Sequence, residues 1–173
     1  MLQELTIQEF LEELAARKPT PGGGSVAALS GALSAGLVSM AAAFSRNQDF
    51  SEQARTLMKT LTHLVDRDAK AFASRDLKEA TRVPLQTAKH SYAVLKLAGA
   101  LLEICNSKVI TDIGVAAKMA EAAVKGAMLN VEVNLASIGE EDFKREILEE
   151  AEEFSCPDSL AKMIIDNIET RLR

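Results

Sequence analysis

Pro19-Thr20-Pro21-Gly22-Gly23-Gly24-Ser25, followed by Val26 to Phe44 without one charged residue, is the stretch that decides the fold. The prolines stop any preceding helix, and the glycines leave free backbone N–H groups at the start of the next. The run from Val26 to Phe44 is long enough to raise the question of a membrane span. It is mostly Ala, Gly and Ser, which partition weakly into hydrocarbon, so it reads as a buried helix and no membrane contact is expected. Gly31, Ala35, Ser30 and Ser34 let other backbones approach closely, as a helix surrounded on all sides requires. A chain of 173 residues has difficulty enclosing a helix completely. A homodimer that covers it is therefore expected.

Outward from this helix the periodicity is helical almost everywhere. Thr6-Ile7-Gln8-Glu9 has the spacing of a capping box and opens a first helix with Phe10, Leu11 and Leu14 on one side. Further helices are expected over roughly Ser51–Leu77, Pro84–Cys105, Asp112–Ser137, Glu140–Phe154 and Asp158–Leu172. No Asn-Gly or Asp-Gly hairpin signal occurs. The expected fold is all-α, a bundle of about seven helices in a single domain spanning residues 1–173, with no linker and no internal repeat.

The chain carries 20 Lys+Arg and 25 Asp+Glu, a net charge of −5, with 4% aromatic residues and no Trp. It has no basic stripe and no stacking platform, so nucleic acid is excluded as an expected partner. Residues 140–153 hold eight acidic and two basic groups, whereas residues 46–125 hold 13 basic and nine acidic ones. The acidity is thus local to one amphipathic helix with Phe143, Ile147, Ala151 and Phe154 as its apolar stripe, and an anionic small molecule is compatible with the rest. Cys105 and Cys156 form no CxxC or Cys/His cluster, so neither a disulfide framework nor a metal site is expected. A reducing cytoplasm fits, and residues Met1 to Phe10 lack the charge order of a signal peptide.

Three polar features interrupt apolar faces. Projected at about 100° per residue from Leu57, Asp68 falls at about 20° among Leu61, Leu64, Val65 and Phe72, whereas Asp66 falls at about 180° and should be solvated. A carboxylate among Leu and Phe loses hydration, its pKa rises, and it can exchange protons near neutrality. The alternative is an Asp paired with a buried Arg or capping a helix. Asn130 and Asn134 continue an alanine face of the fifth helix, where they either meet a ligand or bond neighbouring helices. Gly22 to Gly24 either offer N–H groups to an anionic or carbonyl oxygen or form a tight turn. Thr111 or Asp112 is placed to cap the fifth helix. His63 and His90 both project to solvent. No Ser/His/Asp or Cys/His catalytic set can be assembled.

Pro19 to Ala28, Asp66-x-Asp68-Ala69-x-Ala71-Phe72, Val83-Pro84-Leu85, Asp112-x-Gly114-Val115-Ala116-Ala117 and Glu121 to Leu135 together resemble the formiminotetrahydrofolate cyclodeaminase / methenyltetrahydrofolate cyclohydrolase family. The resemblance runs from about Leu11 to Phe143 with the motifs in order. It implies an intertwined all-helical homodimer, a pterin site near the glycine-rich helix start, and closure of 5-formimidoyltetrahydrofolate to 5,10-methenyltetrahydrofolate with loss of ammonia. No cofactor beyond the tetrahydrofolate substrate is implied, and the formimidoyl group would come from a separate formiminotransferase. The acidic residue of the family motif maps to Asp66 or Asp68, and the helical projection selects Asp68 as acid/base. Gly22, Gly23, Gly24, Ser25, Asp112, Asn130 and Asn134 are the expected substrate-binding residues. Arg46, Lys89 or Lys96 are candidates for the folate tail. The stretch between Phe72 and Val83 is shorter than the family's, and Thr111 and Ile113 replace small residues of its pattern. Two other readings remain: hydrolysis of 5,10-methenyltetrahydrofolate on the same scaffold, and a helical dimerisation module without catalysis.

Overall fold

In the computed structural model, which describes all 173 residues, Thr6 opens the first long element. Its hydroxyl accepts from the Glu9 N–H at 3.2 Å while the Glu9 carboxylate accepts from the Thr6 N–H at 2.8 Å, the reciprocal pair that the spacing predicts. This cap starts α1 (Ile7–Ala15). It is followed by α2 (Gly23–Phe44), α3 (Gln48–Ser74), α4 (Leu77–Leu102), α5 (Ile110–Leu135), α6 (Glu141–Glu152) and α7 (Pro157–Arg171), with short 3-10 turns at Leu2–Glu4 and Ser107–Val109. The fold is all-helical, without strands.

α2 is the axis against which α3, α4 and α5 pack. Its buried residues are Ala, Gly, Ser and a single Val, so neighbouring helices come close. A methyl on Gly31 would collide with the Ser91 hydroxyl of α4 and stand 3.1 Å from Leu61 Cδ2 of α3. The Ser34 hydroxyl donates to the Ala116 carbonyl at 2.7 Å and the Ser30 hydroxyl to that of Met119 at 2.9 Å, which ties α2 to α5. The expectation that α2 is surrounded holds for only part of its circumference within one chain. Val26, Leu33 and Phe44 stay exposed on one stripe with half-buried Leu29, Leu37 and Met40. By length and hydropathy alone α2 meets the requirement for a membrane span; in the fold it is the helix that the others pack around.

Two boundaries differ from the sequence reading. The break expected before Pro84 falls instead at Arg75–Asp76, where Arg75 takes a left-handed φ of 60°. Asp76 there accepts from the N–H groups of Lys78 and Glu79 at 3.0 and 3.3 Å. Pro84 therefore lies inside α4. Having no N–H, it leaves the carbonyl of Ala80 without a helical partner, and Asn134 Nδ2 of α5 donates to that carbonyl at 2.7 Å. Similarly, α5 starts at Ile110 after a turn whose cap is the Asn106 side chain, so neither Thr111 nor Asp112 caps it.

α6 packs Phe143 and Ile147, and the turn after it Phe154, into one cluster with Leu85, Val131 and Leu135, as the apolar stripe requires. Its acidic side lies along α4, where Lys78 meets Glu140, Arg82 meets Glu146 and Lys89 meets Glu150. These exposed pairs add little stability, but they occupy three of the basic groups that gave the middle of the sequence its positive balance.

Candidate active site

The start of α2, the C-terminal half of α3 and the C-terminal half of α5 enclose a cavity of about 260 Å³. Gly22, Gly23 and Gly24 form one wall, Asp68 and Phe72 of α3 another, and Asn130, Val133 and Asn134 of α5 the third, with Pro19, Thr20 and Ala80 at the edges. Four other cavities are larger: those of about 640, 530 and 370 Å³ carry no carboxylate, and one of about 330 Å³ between α5 and the α6–α7 turn carries Glu132, Glu152 and Asp158, all exposed, with Asp158 paired to Lys125.

Gly24 makes room for Asp68. A methyl at Gly24 would stand 2.6 Å from Asp68 Cγ, so the carboxyl group rests directly on the first turn of α2. The first free N–H groups of a helix favour negative charge at that point. Asp68 Oδ2 accepts from the Ser25 hydroxyl at 2.8 Å. Oδ1 has no hydrogen-bond partner and is not sealed from the cavity. Burial pushes the Asp68 carboxyl above its ordinary value of 3.8, and the Ser25 hydroxyl and N–H pull it back in part. Of the structural alternatives, pairing with Arg is not found, whereas a carboxylate at the start of a neighbouring helix is, since Asp68 lies on the first turn of α2 and accepts from the Ser25 hydroxyl.

Both asparagines reach the cavity, and each spends its amide nitrogen on a carbonyl. Asn130 donates to Gly126 one turn back at 2.8 Å, and Asn134 to the Ala80 carbonyl freed by Pro84. The structural alternative is thus present in both, and each amide keeps its Oδ1 and one N–H without a protein partner. Gly23 and Asn130 lie across from each other, a methyl on Gly23 reaching to 3.9 Å from Asn130 Nδ2.

Several expectations are corrected. Asp112 is on α5 with Asn134 but near the opposite end, about 33 Å away at 1.5 Å per residue, and does not line the cavity of its own chain. Ser25 is fully buried behind Asp68 and faces the carboxylate rather than the cavity. Asp66, expected in solvent, is 7% exposed, because the turn Leu2–Glu4 folds over α3 and the Leu2 N–H donates to Asp66 Oδ1 at 2.5 Å. Phe72, expected in the core, is 59% exposed and forms cavity wall. His90 is half-buried, and its pKa is lowered by burial and by Lys89, whereas His63 is exposed as expected. Arg46, Lys89 and Lys96 are all absent from the cavity. Val133 and Thr20 are wall residues that periodicity does not single out, although both lie in the family-like stretches; Pro84 inside an apolar helical pattern is the signal for the Ala80–Asn134 bond. No group of three His, Cys, Asp or Glu side chains is placed to hold a metal ion.

The family model described as formiminotransferase-cyclodeaminase matches residues 6–75 and 73–153. The chain belongs to this family. Among its relatives, the methenyltetrahydrofolate cyclohydrolase of Methylorubrum extorquens is 35% identical, over 85% of this chain and 87% of that protein. The formimidoyltransferase-cyclodeaminase of Rattus norvegicus is 33% identical over 83% of this chain but only 33% of its own, longer sequence. The crystal structure of formiminotetrahydrofolate cyclodeaminase from Thermotoga maritima superposes with a TM-score of 0.93 at 27% identity, covering 100% of both chains. The family likeness thus extends through α1 to α6 in sequence and through all seven helices in structure.

Proposed function

We propose that this member of the family closes 5-formimidoyltetrahydrofolate to 5,10-methenyltetrahydrofolate and releases ammonia. The observation that carries the reading is Asp68: a half-buried carboxylate, unpaired with any cation, with one oxygen free at a cavity lined by backbone donors and amide acceptors. A pterin edge presents both a carbonyl oxygen and N–H groups, which suits the Gly23 and Gly24 N–H groups on one wall and the Asn130 and Asn134 oxygens on the other. The cavity is at the small end of the roughly 300–1,000 Å³ of ligand sites, enough for the bicyclic head with the rest of the folate outside.

The reaction needs one proton carrier. N10 adds to the carbon of the protonated formimidoyl group, forming the C–N10 bond and placing a positive charge on N10. The Asp68 carboxylate takes the N10 proton and then delivers it to the exocyclic amine. The carbon–amine bond breaks, ammonia leaves, and the methenyl cation remains, so charge and protons balance. A carboxyl group whose pKa is raised by burial is suited to both transfers near neutral pH.

A second reading is favoured by the cyclohydrolase name of the Methylorubrum relative, which this chain matches over most of its length. There, water adds to the methenyl carbon while Asp68 takes one of its protons; Asp68 returns that proton to N5 as the C–N5 bond breaks, and the second water proton passes to solvent as the formyl C=O forms, giving 10-formyltetrahydrofolate. Incubating the purified protein with each substrate, while following methenyl absorbance and ammonia separately, distinguishes the two. Methenyl gain with ammonia supports the first, methenyl loss without ammonia the second, and no change with either refutes both.

The same reading includes a homodimer in the cytoplasm, supplied by a separate formiminotransferase. Support for the dimer comes from the apolar stripe of α2 at Val26, Leu33 and Phe44 and from exposed Leu129 and Val133 of α5. Light scattering should give about twice the 18.6 kDa chain mass. Free Cys105 and Cys156 agree with a reducing compartment.

A further inference from the structure

The family resemblance implies that Ser25 touches substrate, yet its side chain is fully buried. Its hydroxyl lies between two acceptors on α3, Asp68 Oδ2 at 2.8 Å and the Val65 carbonyl at 3.2 Å. A hydroxyl has one proton and can donate to only one of them at a time. We propose that Ser25 is a positioning residue acting through Asp68: its hydroxyl pins Oδ2, leaves Oδ1 as the oxygen that exchanges protons in the cavity, and turns toward Val65 when the carboxyl is protonated. The inference rests on the assignment of Asp68 as acid/base.

The geometry supports each part. Gly24, lacking a side chain, lets the carboxyl lie on the first turn of α2, and Ser25 is the next residue, so the group is gripped from one side only. A hydrogen bond to an ionised oxygen is about twice as strong as one to a neutral oxygen, so the Ser25 bond favours the carboxylate over the acid. The Val65 carbonyl gives the hydroxyl proton an acceptor when that preference fades, which avoids a buried unpaired donor in either state. No other charged group competes for this control. Asp66 is turned to the far side of α3 under Leu2, and Arg67 of α3 is engaged by Gln86 and Glu79 of α4. The facing walls from α2, α4 and α5 contribute glycines, Ala80, Val133 and the neutral Asn130 and Asn134.

The test is a carboxyl ¹³C NMR titration of the intact protein without ligand, the Asp68 signal being assigned by its loss in Asp68→Asn. In Ser25→Ala the Asp68 midpoint should move up by about one to two pH units, the equivalent of losing one hydrogen bond to a charged group. Ser25→Cys, which keeps the size with a weaker donor, should fall between and serves if the alanine variant folds poorly. The acid limb of kcat should move with the NMR midpoint while KM stays unchanged. An Asp68 midpoint that does not move in either folded variant overturns the proposal. If instead the midpoint moves and neither folate substrate turns over, Ser25 controls Asp68 and the folate reading is what fails.

Discussion

Replacing Gly24 by alanine tests whether the placement of Asp68 on the start of α2 matters. The added methyl would overlap Asp68 Oδ1 and stand 2.6 Å from Cγ and 2.9 Å from Oδ2, whereas ordinary contact begins at 3.4 Å, so the carboxyl must retreat by at least about 1 Å. Flexible side chains make such retreats at modest energy. Overpacking costs about 1–3 kcal/mol, and alanine in place of glycine within a helix returns up to about 1 kcal/mol, so the net loss is about 0–3 kcal/mol. For a domain of this size that is a fall in Tm of at most about 12 °C. A catalytic group displaced by about 1 Å loses on the order of 100-fold in rate. The assay pairs thermal melting with kcat and KM measured by methenyl absorbance. Gly36→Ala on the same helix is the control, since its methyl would meet only Met58 Sδ at 3.6 Å. It should keep full activity with equal or higher Tm. A Gly24→Ala protein that melts normally and turns over at the wild-type rate would refute the reasoning, because it would mean the Asp68 position seen here is not the working one.

Other consequences are equally direct. Asp68→Asn should lower turnover by roughly 10²–10⁴-fold. Because burial raises the Asp68 pKa in the folded chain above 3.8, the native state holds this proton more tightly than the unfolded chain, and wild-type stability falls as pH rises from there through the folded value. The Tm advantage of Asp68→Asn should accordingly grow over that window and vanish at lower pH; an offset independent of pH would contradict it. Asn134→Ala removes the donor to the Ala80 carbonyl left open by Pro84 and should cost about 1–3 kcal/mol in urea denaturation, whereas a stability unchanged within error would show that another donor serves. For His90 the sign is opposite: its folded pKa lies below the ordinary 6.5, so stability is lost as pH falls below that value. His90→Gln should flatten this part of the Tm profile.

What the sequence determined by itself is what depends on neighbours along the chain. The Thr6 cap, the glycine start and charge-free run of α2, the stripe of α6 and the placing of Asp66 and Asp68 on opposite faces of α3 all follow from turn chemistry and a period of 3.6 residues, because helical hydrogen bonds close within four positions. The period says which residues share a face, but not what lies over it. The period places Asp66 in solvent because nothing local shows that the turn at Leu2–Glu4 folds over α3. Pro84 reads as a helix start because nothing local shows that the Ala80 carbonyl it leaves open is met by Asn134, an entire helix away. Asp112 falls outside the cavity because a long helix carries its two ends to different places, and Ser25 turns from the ligand to the carboxylate because α3 crosses α2 at Gly24. The tertiary structure alone could decide these points, since each rests on a contact between residues distant in sequence.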